Sequence, residues 1–142
     1  MKPLKINLIT SLLLLVTVFS CKKEDNSANN NTQISNNIVQ GSWRMTLYNE
    51  DGNDELHHFT GYTFTFNNGT ATAVKSGTTV TGTYSLIVDD SKNKILFDFG
   101  AVVPFNDLND DWQVLESTAA VFRLQHVSGG NGGTDLLTFE KN

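Results

Sequence analysis

The chain is poor in the residues that build cross-links, metal clusters and polyanion-binding faces. It has one cysteine in 142 residues, which excludes an intramolecular disulfide framework and any multi-cysteine zinc site. Ten basic side chains stand against 15 acidic ones, a formal charge of -5. Nucleic-acid binders carry a clustered basic patch, so no nucleic-acid partner is expected. There is no G-x-S-x-G elbow and no P-loop, so two common nucleophile and phosphate sites are missing. Apolar runs are short: the longest, Leu8 to Phe19, falls below the roughly 20 residues a transmembrane helix needs. What is abundant is Thr and Asn, 16 of each, which favours strands and turns over helices. At 39% hydrophobic and 18% charged, the composition is that of one globular domain with a tail.

The tail is the N-terminus. Lys2 and Lys5 precede the apolar run, which ends at Val18-Phe19-Ser20-Cys21. A positive n-region, a short apolar stretch and a small residue before a cleavage point describe a secretory signal. The Ser20-Cys21 junction resembles the lipobox of bacterial lipoproteins, which implies that residues 1–20 are removed and Cys21 is lipidated. The alternative is an ordinary signal with an incidental cysteine. Residues 21–37 hold Lys22-Lys23-Glu24-Asp25 and then a tract rich in Asn and Ser. Such composition cannot bury a core, so a flexible tether is expected, reaching about 20–25 Å. The charged stretch after Cys21 resembles surface-export signals of Bacteroidetes-type lipoproteins, which implies the outer face of the outer membrane. The periplasmic face is the alternative.

From Ile38 onward, apolar residues recur with period two. Trp43, Met45 and Leu47 alternate with polar neighbours, as do Tyr62, Phe64 and Phe66. Asn67-Asn68-Gly69 leads into Thr70–Lys75, and Ser76-Gly77 opens the next hairpin. Val80, Gly82, Tyr84 and Leu86 continue the pattern, and Asp89 to Asn93 turns into Ile95, Phe97 and Phe99. Trp112–Glu116, Ala120–His126 and Leu136–Glu140 complete eight short strands. No window shows a sustained helical period; one short helical turn around Ile38-Val39 is allowed. A sheet with one apolar face must cover it. Consecutive tight hairpins favour an all-β, eight-stranded antiparallel up-and-down barrel over 38–142. Eight strands enclose an interior that side chains fill or that holds one small ligand.

Gly41-Ser42-Trp43-Arg44 at the head of strand one resembles the G-x-W signature of lipocalins. With Gly61-Tyr62-Thr63-Phe64-Thr65-Phe66-Asn67, Gly82-Thr83-Tyr84-Ser85-Leu86, Asn109-Asp110-Asp111-Trp112 and Gly132-Gly133-Thr134-Asp135, the domain resembles the short lipocalin-like domains of Bacteroidetes lipoproteins. The resemblance implies that Gly41 and Trp43 close one end, with an arginine packed on the indole. Arg123 is the candidate, an exposed strand arginine the alternative. It also implies a ligand held inside, for which Met45, Leu47, Tyr62, Phe64, Tyr84, Phe97 and Phe122 are candidate contacts. A packed core uses the same residue types.

In such a barrel the odd-numbered loops share one end. Most of them are long: Asn49–Phe59, Gly100–Asp111 and Val127–Asp135. Eight acids lie there: Glu50, Asp51, Asp54, Glu55, Asp107, Asp110, Asp111 and Asp135. From Ile38 onward 13 acids face six bases, a charge of -7, so one end is expected to carry a negative potential. That favours a cationic amphipathic ligand, or simply a soluble rim. Asp107, Asn109 and Asp111 offer oxygens at alternate positions, a candidate calcium site; no other cofactor is expected. Adjacent His57 and His58, read as strand residues, point to opposite faces and rarely chelate one ion together; flanking an acidic loop they could assist a metal, and a plain surface pair is the alternative. With no activated nucleophile and no desolvated carboxylate pair, the chain is not expected to be an enzyme. The expectation is a monomeric, membrane-anchored binder of a small apolar or amphipathic molecule. The alternative is a solid barrel whose acidic loops bind a protein, a glycan or Ca2+.

Overall fold

The computed structural model describes residues 26–128 and 132–142. The signal segment 1–20, Cys21 and residues 22–25 lie outside the described residues, as do 129–131 of the last long loop. After helix α1 (Asn26–Ile38) come β1 (Trp43–Glu50), a two-residue β2 (Asn53–Asp54), β3 (Thr63–Asn67), β4 (Thr70–Lys75) and β5 (Thr78–Asp89). Then follow β6 (Lys92–Asp98), β7 (Asp111–Ser117), β8 (Val121–Val127) and β9 (Thr134–Lys141). Each long strand pairs antiparallel with the next, and β9 returns to β1. The sheet is therefore a closed eight-stranded up-and-down barrel, with β2 a short flap on the end of β1.

The turns explain the register. Asn68-Gly69, Ser76-Gly77 and Asp90-Ser91 all have positive φ at both central residues. That conformation matches the twist of the flanking strands and fixes two-residue hairpins. The turn expected over Asp89 to Asn93 shrinks to Asp90-Ser91, because β5 and β6 pair out to Asp89 and Lys92. Gly82 is required for a different reason. A Cβ there would lie 2.5 Å from the Phe99 ring and 2.6 Å from the Asp98 carbonyl oxygen.

Strand β1 departs from simple alternation. Met45 faces Phe139 and Leu47 faces Thr138 on β9, so Thr46 is an extra residue forming a β-bulge. One extra residue sends every later side chain to the opposite face. Tyr48 is thus 1% exposed and enters the core, while Leu47 is 39% exposed and faces solvent. Leu47 is not an interior contact, which corrects the expectation from uninterrupted alternation.

A second correction concerns residues 26–37. They form most of a 13-residue helix, not a flexible tether. The helix crosses the end that holds the tight turns, packing on β5, β6 and β7. Ile34 and Ile38, one helical turn apart on one face, are both buried. The Ile38 carbonyl accepts a hydrogen bond from Trp43 Nε1 at 2.9 Å, and Asn37 Nδ2 donates to the Ser117 carbonyl at 3.0 Å. An Asn-rich segment has poor intrinsic helix propensity. Docking of the isoleucine pair onto the barrel end supplies the stability that propensity lacks.

Candidate functional site

Aromatic rings occupy the barrel interior. Phe64 and Phe66 pack on Phe139 with centroids 5.0 and 5.7 Å away, and Phe66 also meets Tyr84 at 5.6 Å and Phe97 at 6.0 Å. Met45, Phe64, Tyr84, Phe97 and Phe122 are all buried, as expected, and Tyr62 is half-buried.

The long connections gather at the end opposite α1, and one of them folds inward. Between β6 and β7 a short 3-10 turn, Phe105–Leu108, buries both of its terminal side chains. Phe105 meets Tyr62 at 5.1 Å, Phe99 at 5.2 Å and Phe59 at 5.4 Å. Tyr48 Oη donates to the Asp107 carbonyl at 3.2 Å, and Trp112 Nε1 donates to the Leu108 carbonyl at 3.0 Å. This connection, one of the long loops expected to share one end, is thus the plug of the barrel. Phe105, Leu108 and Phe59 are missing from the expected interior because strand periodicity says nothing about loop residues.

The same fold gives each member of the expected calcium set a partner within the protein. Asn109 Oδ1 accepts from the Phe99 amide at 2.6 Å, while its Nδ2 donates to the Gly100 carbonyl at 2.7 Å. Asp111 pairs with Lys94 Nζ at 2.7 Å, and Asp107 accepts from Asn106 Nδ2 at 2.8 Å. Asn109 is a strut of the plug and Asp111 is paired with Lys94, so both side chains are engaged within the protein.

Arg123 is also reassigned. It is exposed and pairs with Glu116 at 2.8 Å, across the β7–β8 hairpin. The cation over Trp43 is Lys141, with Nζ 6.0 Å from the ring centroid. Its aliphatic stem leaves little space beside Gly41, where a Cβ would lie 3.0 Å from Lys141 Cε. Lys141 pairs with Trp43 across the β1–β9 closure, a juxtaposition set by tertiary register.

The acidic end is partly compensated. Lys94 bridges Asp89 and Asp111, and His126 sits 3.3 Å from Asp110 and 3.6 Å from Asp111. The remaining acids do act together. Partial desolvation and then the charges of Asp107, Asp135, Glu55 and Asp51 hold the Glu50 carboxyl above its ordinary value. Burial, followed by Glu50, Asp107, Asp135 and Glu55, pushes the Tyr48 hydroxyl well above the usual phenol range. A cation placed at this end relieves that repulsion.

Beside the plug, the wall itself is open. Strands β1 and β3 share one registered pair, Trp43 and Phe64, and then diverge as β1 turns to pair with β2. The gap is a groove of about 470 Å³ lined by Arg44, Met45, Thr46, Leu56, Tyr62 and Thr63, among others. Met45 and Tyr62 are two of the expected interior contacts, reached here from the side. Arg44 at the rim is held by Glu140 at 2.7 Å and the Lys141 carbonyl at 2.9 Å. Lys75 donates to the Thr60 carbonyl at 2.7 Å and lies over the Tyr62 ring at 5.3 Å.

A closed eight-strand meander, capped where Trp43 lies and carrying its long loops at the other end, fixes the architecture. The fold is a closed eight-stranded up-and-down barrel. It is similar to that of a DUF4847 family protein from Bacteroides vulgatus ATCC 8482, with a TM-score of 0.50 at 18% identity, covering 77% of this chain and 97% of that one. A lipocalin-like protein from Bacteroides uniformis ATCC 8492 is similar at a TM-score of 0.47 and 17% identity, over 73% of this chain and 98% of that one. No family profile matches the chain, and neither does any curated protein sequence. In this barrel the interior is ring-packed and the groove lies at the β1–β3 seam.

Proposed function

We propose that this lipocalin-like barrel is a lipid-anchored binding protein of the outer membrane that takes a small apolar or amphipathic molecule into the β1–β3 groove. The observation that carries the reading is the wall opening, which brings Met45 and Tyr62 to a groove of about 470 Å³. That volume lies within the range of small-molecule sites, and an apolar floor with a few polar groups at the rim is their usual lining. Arg44, Thr60 and Asn142 supply the polar rim. The ring-packed interior favours a second reading, a solid interaction module whose loops bind a macromolecule.

Native mass spectrometry of protein purified gently from its own membrane tests both. A co-purifying small molecule is expected, and Thr63→Trp is expected to abolish it, because an exposed strand position accepts an indole that fills the groove. A molecule retained by the variant would place the site elsewhere. A reproducibly empty wild-type protein would overturn the groove and leave the interaction module.

Anchoring rests on Cys21 and on the helix that follows it. Four residues separate Cys21 from Asn26, and such a stretch spans at most about 17 Å. With α1 laid across the closed end, that end faces the membrane and the acidic loops point away. Cys21→Ser is expected to move the protein from the membrane to the soluble fraction. Continued membrane association of the variant would sink the lipoprotein reading.

A further inference from the structure

We propose that Glu55, His57 and His58 form a binding site for a borderline divalent transition-metal ion such as Zn2+. The site is independent of the ligand reading above. Read as strand residues, the two histidines point apart; in the structure they lie on a 3-10 turn, Leu56–His58, that follows Glu55 directly, and the His58 amide donates to the Glu55 carbonyl at 3.2 Å. The turn brings one ligand atom from each of the three residues within 4.8 Å of the others. Glu55 Oε2 lies 3.3 Å from His58 Nε2 and 3.8 Å from His57 Nδ1. Tetrahedral zinc with bonds of about 2.0–2.1 Å separates its ligands by about 3.3–3.4 Å, so small side-chain rotations close the site. The ring centroids are 3.9 Å apart, and side-chain exposures of 68% for His57, 43% for His58 and 30% for Glu55 leave room for those rotations.

The backbone beneath the three side chains is held at both ends. The Glu55 amide donates to the Tyr48 carbonyl at 3.0 Å, and the Leu56 amide donates to Asp54 Oδ1 at 3.0 Å. Phe59, immediately after the turn, is buried against Tyr48 and Phe105. Ligand residues on a fixed turn lose little freedom on binding. The surroundings favour a cation, since Glu50, Asp51, Asp107 and Asp135 belong to the same acidic end.

Chemistry selects the class of ion. Two imidazoles and one carboxylate suit Zn2+, Cu2+, Ni2+ or Co2+, whereas Ca2+ takes six to eight oxygens. Three protein ligands leave one tetrahedral position for water or for a donor atom from a partner. The other His-carboxylate cluster, Asp110, Asp111 and His126, is a poorer candidate. Lys94 Nζ sits 2.7 Å from Asp111 there, so a cation already neutralises it.

The test is isothermal titration of untagged, metal-stripped full-length protein with Zn2+, alongside the visible spectrum on adding Co2+. One ion per chain is expected, with a tetrahedral Co2+ absorption that Zn2+ removes and millimolar Ca2+ does not. His57→Ala and His58→Ala are each expected to weaken binding by at least about 10–100-fold, the range reported for merely supporting residues, and His126→Ala to leave it unchanged. Both ligand histidines are exposed, so an unchanged melting temperature of the metal-free variants verifies their fold. No saturable Zn2+ binding, or binding that survives the double variant His57→Ala/His58→Ala, would overturn the assignment.

Discussion

Phe105→Ala is expected to destabilise the protein by about 3–5 kcal/mol, the cost of emptying a phenylalanine-sized site in a packed core. In a domain of this size that is a fall in melting temperature of about 12 °C or more. Phe105 is 1% exposed although it sits in a connection between strands. Its ring touches Phe59, Tyr62, Phe64 and Phe99. Removal therefore strands four aromatic neighbours as well as deleting one. Because the plug closes the long-loop end, the variant is also expected to admit an apolar fluorescent dye that the wild type excludes. Phe105→Leu keeps most of the volume and is expected to lose less than half as much. Thermal unfolding with dye binding reads both effects. A shift within the roughly 0.5 kcal/mol typical of surface loops would mean that the connection does not plug the barrel.

The second large effect lies at the opposite end. Ile38→Ala is expected to cost about 2–5 kcal/mol, a melting-temperature drop on the order of 10 °C. The side chain is 1% exposed, and its carbonyl receives the Trp43 indole hydrogen bond at 2.9 Å. If residues 21–37 were a free tether ending at Ile38, the same change would leave unfolding almost untouched. Ile34→Ala, one turn earlier on the same face, should act in the same direction. Equal stability of both variants and the wild type would detach α1 from the barrel and restore the long tether.

These two positions also show where sequence reading stops. The eight strands were legible because alternation is a local signal: each inward Phe or Tyr sits two residues from the next. The hairpins were legible because Asn-Gly and Ser-Gly prefer positive φ, which closes two-residue turns. Loop parity then placed the acidic connections at one end, and the mutual effects of Glu50, Asp107, Asp135 and Glu55 bear that out. The bulge at Thr46 was not legible, since nothing in Met45-Thr46-Leu47-Tyr48 distinguishes a regular strand from a bulged one. It is fixed by how β1 meets β9. The candidate site suffered for the same reason. Arg123 and Lys141 are both cations near the C-terminus, and only the closure register decides which one covers Trp43.

The sequence by itself determined the strand count, the direction of the hairpins, the sign of the charge at the long-loop end and the place of Cys21 ahead of the domain. Each follows from residue type and spacing over a few positions. Tertiary structure alone decided that the Asn-rich segment is a helix, that the β6–β7 loop plugs the long-loop end, and that β1 and β3 part to leave a groove. It also decided that Glu55, His57 and His58 share one side of a turn. Those outcomes depend on burial shared between segments far apart in the chain, and side-chain packing of that kind leaves no period in the sequence.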